Sequence, residues 1–254
     1  MFSNVSNFRD RYQHAHNKIN WHIPDPIKRG RFLDVGCGTG NGVAAAAAHG
    51  ASLAVGIDRS FGEFGHEFNV DEFPDLCDAV GSNTDSALLL EGNIFDLKMP
   101  FPGFDYAMML DSAEHVPDLE RIIKWTSDSL RPGGYLLLDT CPLFYSPVGS
   151  HLWHWFPEAS DPWAHLKPGF EQRCHDAGID AWNMDRYREL NKVTHQQIVD
   201  MFVGTGFEII EEHRSKTNPE REALFQRFGS DIDLSTIQKE WLFEDWILLV
   251  GRKI

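Results

Sequence analysis

The sequence predicts an α/β fold in which a doubly wound, mostly parallel sheet carries helices on both of its faces. Two observations support this prediction. Short apolar runs alternate with longer segments of helical character, and the runs are apolar almost without interruption rather than at every second position. A strand that is apolar on both sides needs a helical layer on each side, which is the arrangement of a parallel sheet.

Seven apolar runs indicate strands, and the first five are expected to be buried on both faces. In chain order they are FLDVGC (32–37), SLAVGID (52–58), ALLLEGNI (87–94), FDYAMMLD (104–111), GYLLLDT (134–140), the second half of 194–213, and WILLVGRK (246–253). Between them, the alanine-rich segment 42–50 predicts a helix that its last glycine ends. Segment 117–134 predicts another helix, ended by Pro132 and Gly133, and the first half of 194–213 predicts a third.

Two stretches do not follow this alternation. Residues 142–193 are rich in Trp, His and Pro, and residues 214–243 are expected to form a long, charged, helical connection. Long excursions from a compact sheet are commonly lids or binding surfaces. We therefore interpret the chain as one domain, 1–254, with a ligand-binding core at about 30–141, an insertion at 142–193 and C-terminal elements at 194–254.

The composition of the chain disfavours some kinds of binding partner and some cellular locations. The chain of 254 residues has 23 Lys and Arg against 38 Asp and Glu, a formal net charge of −15, which disfavours a nucleic acid partner. Its four cysteines form no CxxC pair and no disulfide framework. No stretch approaches the ~18 apolar residues of a membrane span, and the N-terminus has no apolar targeting segment. We expect a cytoplasmic protein.

The most specific motif is the glycine-rich segment FLDVGCGTGNG (32–42), which leads from the first strand into a helix. Glycines let the backbone approach a ligand, and a helix N-terminus offers free N–H groups. Asn41 stands where a dinucleotide fingerprint needs its third glycine, and the GK[ST] of a phosphate loop is absent. The carboxylate of Asp34 would repel a pyrophosphate and attract an ammonium group. The motif therefore predicts a ligand with a cationic head group.

With its surroundings, LDVGCGTG (33–40) resembles motif I of the class I S-adenosylmethionine-dependent methyltransferases, which have a Rossmann-like, seven-stranded fold. The resemblance implies S-adenosylmethionine as cofactor, with Asp58 accepting its ribose hydroxyls and Asn93 and Ile94 beside its adenine. Asn93 departs from the acidic residue that the family often has there. The cofactor-binding residues implied are Asp34, Gly36, Cys37, Gly38, Gly40, Asp58, Arg59, Asn93, Ile94 and Asp111. The N-terminal segment containing His14 and His22 either folds over the cofactor or forms a surface helix.

A methyl acceptor with a hydroxyl group must lose a proton, and two arrangements after the fourth strand could remove it. His115 is the candidate base. Alternatively, Asp111, Glu114 and His115 are similar to the acidic-x-x-Glu-His cluster that some metal-dependent O-methyltransferases use for Mg²⁺. Asp111 is shorter than the glutamate of that pattern, so the sequence favours the metal-free arrangement.

The insertion is expected to cover the acceptor. It places three Trp and three His within 15 residues, namely His151, Trp153, His154, Trp155, Trp163 and His165. Indole faces stack on planar groups or sugar rings, and His151 and His154 are further catalytic candidates. The spacing of those two histidines does not match a helical zinc pair. A self-packed lid is the alternative.

The resemblance implies methyl transfer from S-adenosylmethionine, with O-methylation of a small molecule or a sugar or glycan as the favoured reaction. Three alternatives remain. A cofactor-binding protein without catalysis would keep the same fold, a metal-dependent RNA-terminal methyltransferase is disfavoured by the net charge of −15, and an NAD-type oxidoreductase is disfavoured by Asn41.

Overall fold

A computed structural model describes residues 2–61, 68–97 and 103–254. Within these ranges the strands form one seven-stranded sheet in the order β3-β2-β1-β4-β5-β7-β6. The strands are β1 (Arg31–Val35), β2 (Leu53–Asp58), β3 (Ala87–Glu91), β4 (Phe104–Leu110), β5 (Leu130–Thr140), β6 (Phe207–Arg214) and β7 (Ile247–Lys253). The predicted Rossmann-like fold is confirmed.

The directions of the strands identify the edge of the sheet at which a ligand can bind. Neighbours from β3 to β5 are parallel, and only β7 runs antiparallel, against both β5 and β6. The chain order reverses between β1 and β4, so their carboxyl ends open a crevice at the switch point. The glycine-rich loop follows β1 at that crevice.

The helices cover both faces, as a doubly wound sheet requires. They are α1 (Phe2–His22), α2 (Asp25–Lys28), α3 (Asn41–Ala48), α4 (Phe73–Ala79), α5 (Leu119–Ser129), α6 (Phe170–Asp176), α7 (Ala181–Glu189), α8 (His195–Gly204) and α9 (Pro219–Phe228). One core cluster joins the sheet to α5 and α8, and a second joins its other face to α1, α3 and α4. No helix in the described ranges has the length and apolar character that crossing a bilayer would require.

Three local expectations are corrected. Strand β3 is not buried on both faces, because it is the edge strand and pairs only with β2. Helix α5 ends at Ser129 rather than at Pro132, since a proline keeps the preceding Arg131 out of the helical conformation and the chain already joins β5 at Leu130. Residues 214–243 are helical only at α9 and in a short 3-10 segment, Lys239–Phe243.

The insertion 142–193 has a small core of its own. Leu152, Phe156, Phe170, Cys174 and Met184 are buried together, so α6 and α7 pack against the loop that follows β5. A further cluster joins Trp163 to the connection before β7. The insertion therefore has its own core and is attached through Trp163 to the segment that leads into β7.

Candidate functional site

The glycine loop is fastened to β2 and open on its other side. The backbone N–H groups of Gly36 and Cys37 both donate to the carbonyl of Ile57, at 2.8 and 3.1 Å. Gly36, Gly38 and Gly40 have φ values of 76°, 52° and 82°, which side-chain-bearing residues rarely adopt. A Cβ on Gly38 would meet nothing within 4 Å, so the loop leaves open space where a ligand can approach the backbone.

Asp58 holds the loop from the end of β2. Its Oδ2 accepts a hydrogen bond from the N–H of Gly38 at 2.8 Å, and its Oδ1 accepts one from the N–H of Ser60 at 3.2 Å. The carboxylate is buried beside the open space above Gly38. This is the place at which the class I resemblance puts the ribose-binding acid.

Asp34 is buried under the first turn of α3, where its carboxyl group lies against Gly42. Burial, together with the nearby Asp58 carboxylate, raises the pKa of Asp34 to about 8. The Oδ1 of Asn41, also buried, has no hydrogen-bond partner in the part of the chain that the structure describes. A cationic group in this loop would supply both the charge and the donor, so the residues fit an amino-acid ammonium.

The remaining predicted cofactor residues differ in accessibility. Asn93 is exposed, and its Oδ1 accepts from the N–H of Phe95 at 3.0 Å, whereas Ile94 is buried in the core. Arg59 is exposed and lies 3.5 Å from the carboxylate of Glu189 on α7. The Cys37 thiol is buried, which raises its pKa well above the usual value, in accord with a small structural residue.

The end of β4 lies directly against the glycine loop. Ser112 Oγ donates to the carbonyl of Val35 at 3.1 Å, and a Cβ on Gly36 would come within 2.7 Å of the Ser112 Cβ. Asp111 has a φ of 46°, and its N–H donates to the carbonyl of Asp139 at 2.9 Å. Residues 111–115 are therefore next to the backbone that would hold the cofactor. Ser112 was not predicted to belong to the site, because no sequence pattern distinguishes a single serine at this position.

Three polar side chains converge just beyond this point. Glu114 and His115 lie in the 3-10 turn Ala113–His115, and His151 reaches them from the loop after β5. His115 Nε2 is 3.8 Å from Glu114 Oε1, and the two imidazole rings have centroids 4.8 Å apart. Among the described residues, the group that brings potential metal-ligand atoms together thus contains His151 and not Asp111.

Burial governs the ionisation of this group. It lowers the pKa of His115 to about 3 and that of His151 to about 4, so both imidazoles are neutral at physiological pH. Burial raises the pKa of Glu114 to about 8 even though the hydroxyl of Thr140 donates to its Oε2. A neutral imidazole can accept a proton or bind a cation, but a pKa this low makes His115 a weak base on its own.

The aromatic residues of the insertion separate into two kinds. Trp153 and Trp155 are 41% and 37% exposed, and the Trp153 ring lies 5.7 Å from the ring of His151. His154 is exposed between them. Trp163 is instead fully buried and donates its indole N–H to the carbonyl of Leu242 at 3.1 Å.

His165 is likewise buried, with Nε2 2.6 Å from the carbonyl of Phe144. The buried indole and imidazole thus find partners in the protein's own backbone. Trp163 and His165 belong to the core, and only the 151–155 part of the histidine- and tryptophan-rich segment forms a rim at the site.

Helix α1 reaches the same edge of the sheet. The carboxylate of Asp139, at the end of β5, lies 2.6 Å from Lys18 Nζ and 3.6 Å from His14 Nε2, and accepts from the indole N–H of Trp246. Burial favours the neutral acid, but the hydrogen bonds from His14 and Lys18 outweigh it and lower the pKa of Asp139. Asp139 was not among the residues predicted from the sequence, although an acidic residue at the carboxyl end of a predicted strand was a usable signal.

Comparison with known proteins identifies the family of the chain. Residues 8–212 match the family model of a methyltransferase domain. The chain is 32% identical over 126 residues to the 27-O-demethylrifamycin SV methyltransferase of Amycolatopsis mediterranei (strain S699). That match spans 49% of this chain and 43% of the relative, so less than half of the relative's length is covered.

Solved structures share the fold at low sequence identity. The S-adenosylmethionine-dependent methyltransferase of Mesorhizobium loti has a TM-score of 0.53 at 18% identity, covering 93% of this chain and 96% of that one. The magnesium protoporphyrin IX methyltransferase of Synechocystis PCC 6803, solved with bound S-adenosylhomocysteine, has a TM-score of 0.56 at 15% identity, covering 96% and 83%. Taken with the match over residues 8–212, the glycine loop and Asp58 establish that the chain belongs to the class I S-adenosylmethionine-dependent methyltransferase family.

Proposed function

We propose that this protein transfers the methyl group of S-adenosylmethionine to a hydroxyl oxygen of a small molecule or sugar. The supporting observation is the group of imidazole and carboxyl side chains next to the glycine loop, formed by Glu114, His115 and His151. The named reaction of the rifamycin relative, an O-methylation of a small molecule, supports the same acceptor class.

In this proposal the chain's own residues bind, orient and deprotonate. Asp34 and Asn41 hold the ammonium group of the cofactor, and Asp58 accepts its ribose hydroxyls. The bound cofactor supplies a methyl group on a positively charged sulfur. Alignment of the acceptor oxygen with that methyl is the main requirement, and the rim formed by Trp153 and Trp155 would orient the acceptor.

The bond between sulfur and the methyl carbon breaks as the new C–O bond forms, and the acceptor hydroxyl loses its proton. The products are a methyl ether, the demethylated thioether and one proton. Two routes for the proton fit the side chains. Either the neutral imidazole of His115 accepts it, or a cation held by Glu114, His115 and His151 lowers the pKa of the hydroxyl.

The test is methyl transfer to a panel of hydroxylated aromatic compounds and sugars, each paired with the matching amine and assayed by product mass. We expect O-methyl products, and His115→Ala should lower turnover by ~10²–10⁴-fold, the range typical of a positioned acid or base, with cofactor affinity retained. Cofactor binding with no transfer to any oxygen acceptor would contradict the proposal and favour a non-catalytic cofactor-binding protein.

A further inference from the structure

The group formed by Glu114, His115 and His151 has the composition of a metal-binding site, and its potential ligand atoms lie close to one another. One ligand atom from each side chain lies within 4.8 Å of the other two. The two imidazoles and the carboxyl group come from segments that are 36 residues apart in the chain and meet at the carboxyl ends of β4 and β5. Glu114 is 4% exposed, and the two histidines are partly buried.

Hydrogen bonds outside the group leave a lone pair available on His151. Its Nε2 lies 3.2 Å from the carbonyl oxygen of Pro142. A carbonyl can only accept, so this contact assigns the proton of the neutral ring to Nε2 and the lone pair to Nδ1. A histidine that ligates a metal usually donates its other N–H to a carbonyl or carboxylate in this way.

Glu114 is held in a comparable manner. Its Oε2 accepts from the Thr140 hydroxyl, which leaves Oε1 on the side of His115. The backbone of the turn is fixed by Asn191, whose side-chain amide donates to the carbonyls of Ala113 and Val116 at 2.6 and 2.8 Å. His151 and Glu114 are thus each held by a partner outside the group.

The surrounding charge favours a cation. The carboxylates of Asp111 and Asp139 are close enough to Glu114 to attract a cation bound there. The positive charge of Arg186 acts on His115 and opposes such a cation. Two imidazoles and one carboxylate suit Zn²⁺ or another divalent transition metal, whereas Mg²⁺ prefers a shell of oxygen ligands. We infer that Glu114, His115 and His151 bind one divalent transition-metal ion, in place of the Mg²⁺ site at Asp111, Glu114 and His115 that the sequence resemblance suggested.

Three protein ligands leave a coordination position open, which is the pattern of catalytic rather than structural zinc sites. The acceptor oxygen would occupy the open position, where the ion would lower the pKa of the hydroxyl group. This role rests on the proposed function, whereas the binding of the ion does not.

The experiment uses the full chain, stripped with a chelator and dialysed. Zn²⁺ binding is measured by calorimetry, and Co²⁺ is added separately as a probe whose visible spectrum reports its coordination. We expect one ion per chain with a Co²⁺ spectrum typical of mixed nitrogen and oxygen ligands. His151→Ala and Glu114→Gln should each weaken binding by more than ~100-fold, beyond what loss of an outer-shell partner costs, and Thr140→Val by ~10–100-fold.

His175→Ala is the matched control, because its imidazole is 84% exposed on α6 and lies outside the group. Cofactor affinity and the unfolding midpoint are measured on every variant and identify any variant that fails to fold. If His151→Ala fails to fold, the conservative variants Glu114→Gln and Thr140→Val still test the site. Absence of stoichiometric Zn²⁺ binding, or equal binding by wild type and well-folded His151→Ala and Glu114→Gln, would overturn the inference. These readouts need no acceptor, so a wrong acceptor class leaves them unchanged.

Discussion

Asp58 fastens the glycine loop and is also the residue that we propose to bind the cofactor ribose, so a single substitution would remove both contacts. It accepts hydrogen bonds from the N–H groups of Gly38 and Ser60, and it stands where the cofactor ribose is expected. Asp58→Ala should weaken binding of S-adenosylmethionine by ~1–3 kcal/mol, the range for unpaired buried polar groups. Calorimetric titration measures this directly.

The control for that titration is Asp85→Ala, which removes an exposed carboxylate far along the chain from the loop. Its affinity for the cofactor should equal that of the wild type. An unchanged affinity in Asp58→Ala would mean that the carboxylate only fastens the loop and does not reach the ribose.

Gly42 is required for a steric reason rather than a conformational one. A Cβ at this position would collide with the Asp34 carboxyl group and lie 2.7 Å from the terminal methyl of Met108. Gly42→Ala should therefore cost ~1–3 kcal/mol of unfolding free energy, as overpacking does, and should weaken cofactor binding by displacing Asp34. Urea denaturation and calorimetry report the two effects separately.

Gly204→Ala is the matched substitution, because a Cβ there meets nothing within 4 Å at the end of α8. It should be neutral or stabilising by up to ~1 kcal/mol, the helix preference of alanine over glycine. If both alanines behaved alike, close packing under the first turn of α3 would not explain Gly42.

At the scale of elements, the strands and the glycine loop could be predicted because their patterns lie within short stretches of sequence. The strands around the glycine loop could be placed because each is a continuous apolar run, and the loop because its glycines and Asp34 are adjacent in sequence. Edge and centre strands look alike in sequence, so the exposure of β3 followed only from its place in the sheet order.

The acceptor side could not be assembled in the same way. His151 meets Glu114, and Lys18 meets Asp139, only because loops and α1 bring distant segments to one edge of the sheet. The aromatic content of the insertion was visible, but which residues form its core depends on partners such as the Leu242 carbonyl that accepts from Trp163. Such pairings have no sequence spacing from which to predict them.

The two kinds of tryptophan in the insertion should respond differently to truncation. Trp153→Ala and Trp155→Ala remove half-exposed rings at the site, so we expect a higher KM for the acceptor with little change in stability. Trp163→Ala empties a fully buried position and should cost ~3–5 kcal/mol of unfolding free energy. Acceptor kinetics and urea denaturation on the three variants measure both quantities.

Cofactor affinity serves as the internal control for this comparison, since the rim does not contact the glycine loop in the proposed arrangement. A loss of stability in Trp153→Ala as large as in Trp163→Ala, with a normal KM for the acceptor, would instead identify the rim as a self-packed lid.

At the scale of the whole molecule, ionisable side chains from distant segments contact one another near the site, in a chain with a net charge of −15. Lys18 and His14 bring α1 to the Asp139 carboxylate, and His22 Nδ1 lies 2.9 Å from Glu211 Oε2 on β6. Helix α1 thus contacts β5 and β6 through these side chains and also packs on α3 and α4. Among the described residues no cation shifts the pKa of Asp34, so the ionisation of this buried carboxyl group should affect the stability of the ligand-free protein.

The stability of the ligand-free protein should depend on pH through Asp34. Asp34 has a pKa of about 8 in the folded protein and an ordinary carboxyl pKa of ~3.9 when unfolded. The folded state therefore holds a proton that the unfolded state releases, so the contribution of Asp34 is full below ~pH 4 and is lost as pH rises to about 8. The loss amounts to roughly 1.4 kcal/mol per pH unit. Asp34→Asn cannot titrate, so its stability relative to wild type should increase with pH across this window.

Urea denaturation of both proteins without ligand, from ~pH 5 to ~pH 8, measures this difference, and Asp85→Asn, an exposed carboxylate, should show none of it. Saturating S-adenosylmethionine should reduce the slope in the wild type, because a bound ammonium favours the ionised carboxylate and any ligand that binds only the folded state stabilises it. Parallel curves for wild type and Asp34→Asn would mean that Asp34 is already ionised in the ligand-free fold. The cationic cofactor would then bind a carboxylate that is charged before it arrives, and its binding would release no proton from Asp34.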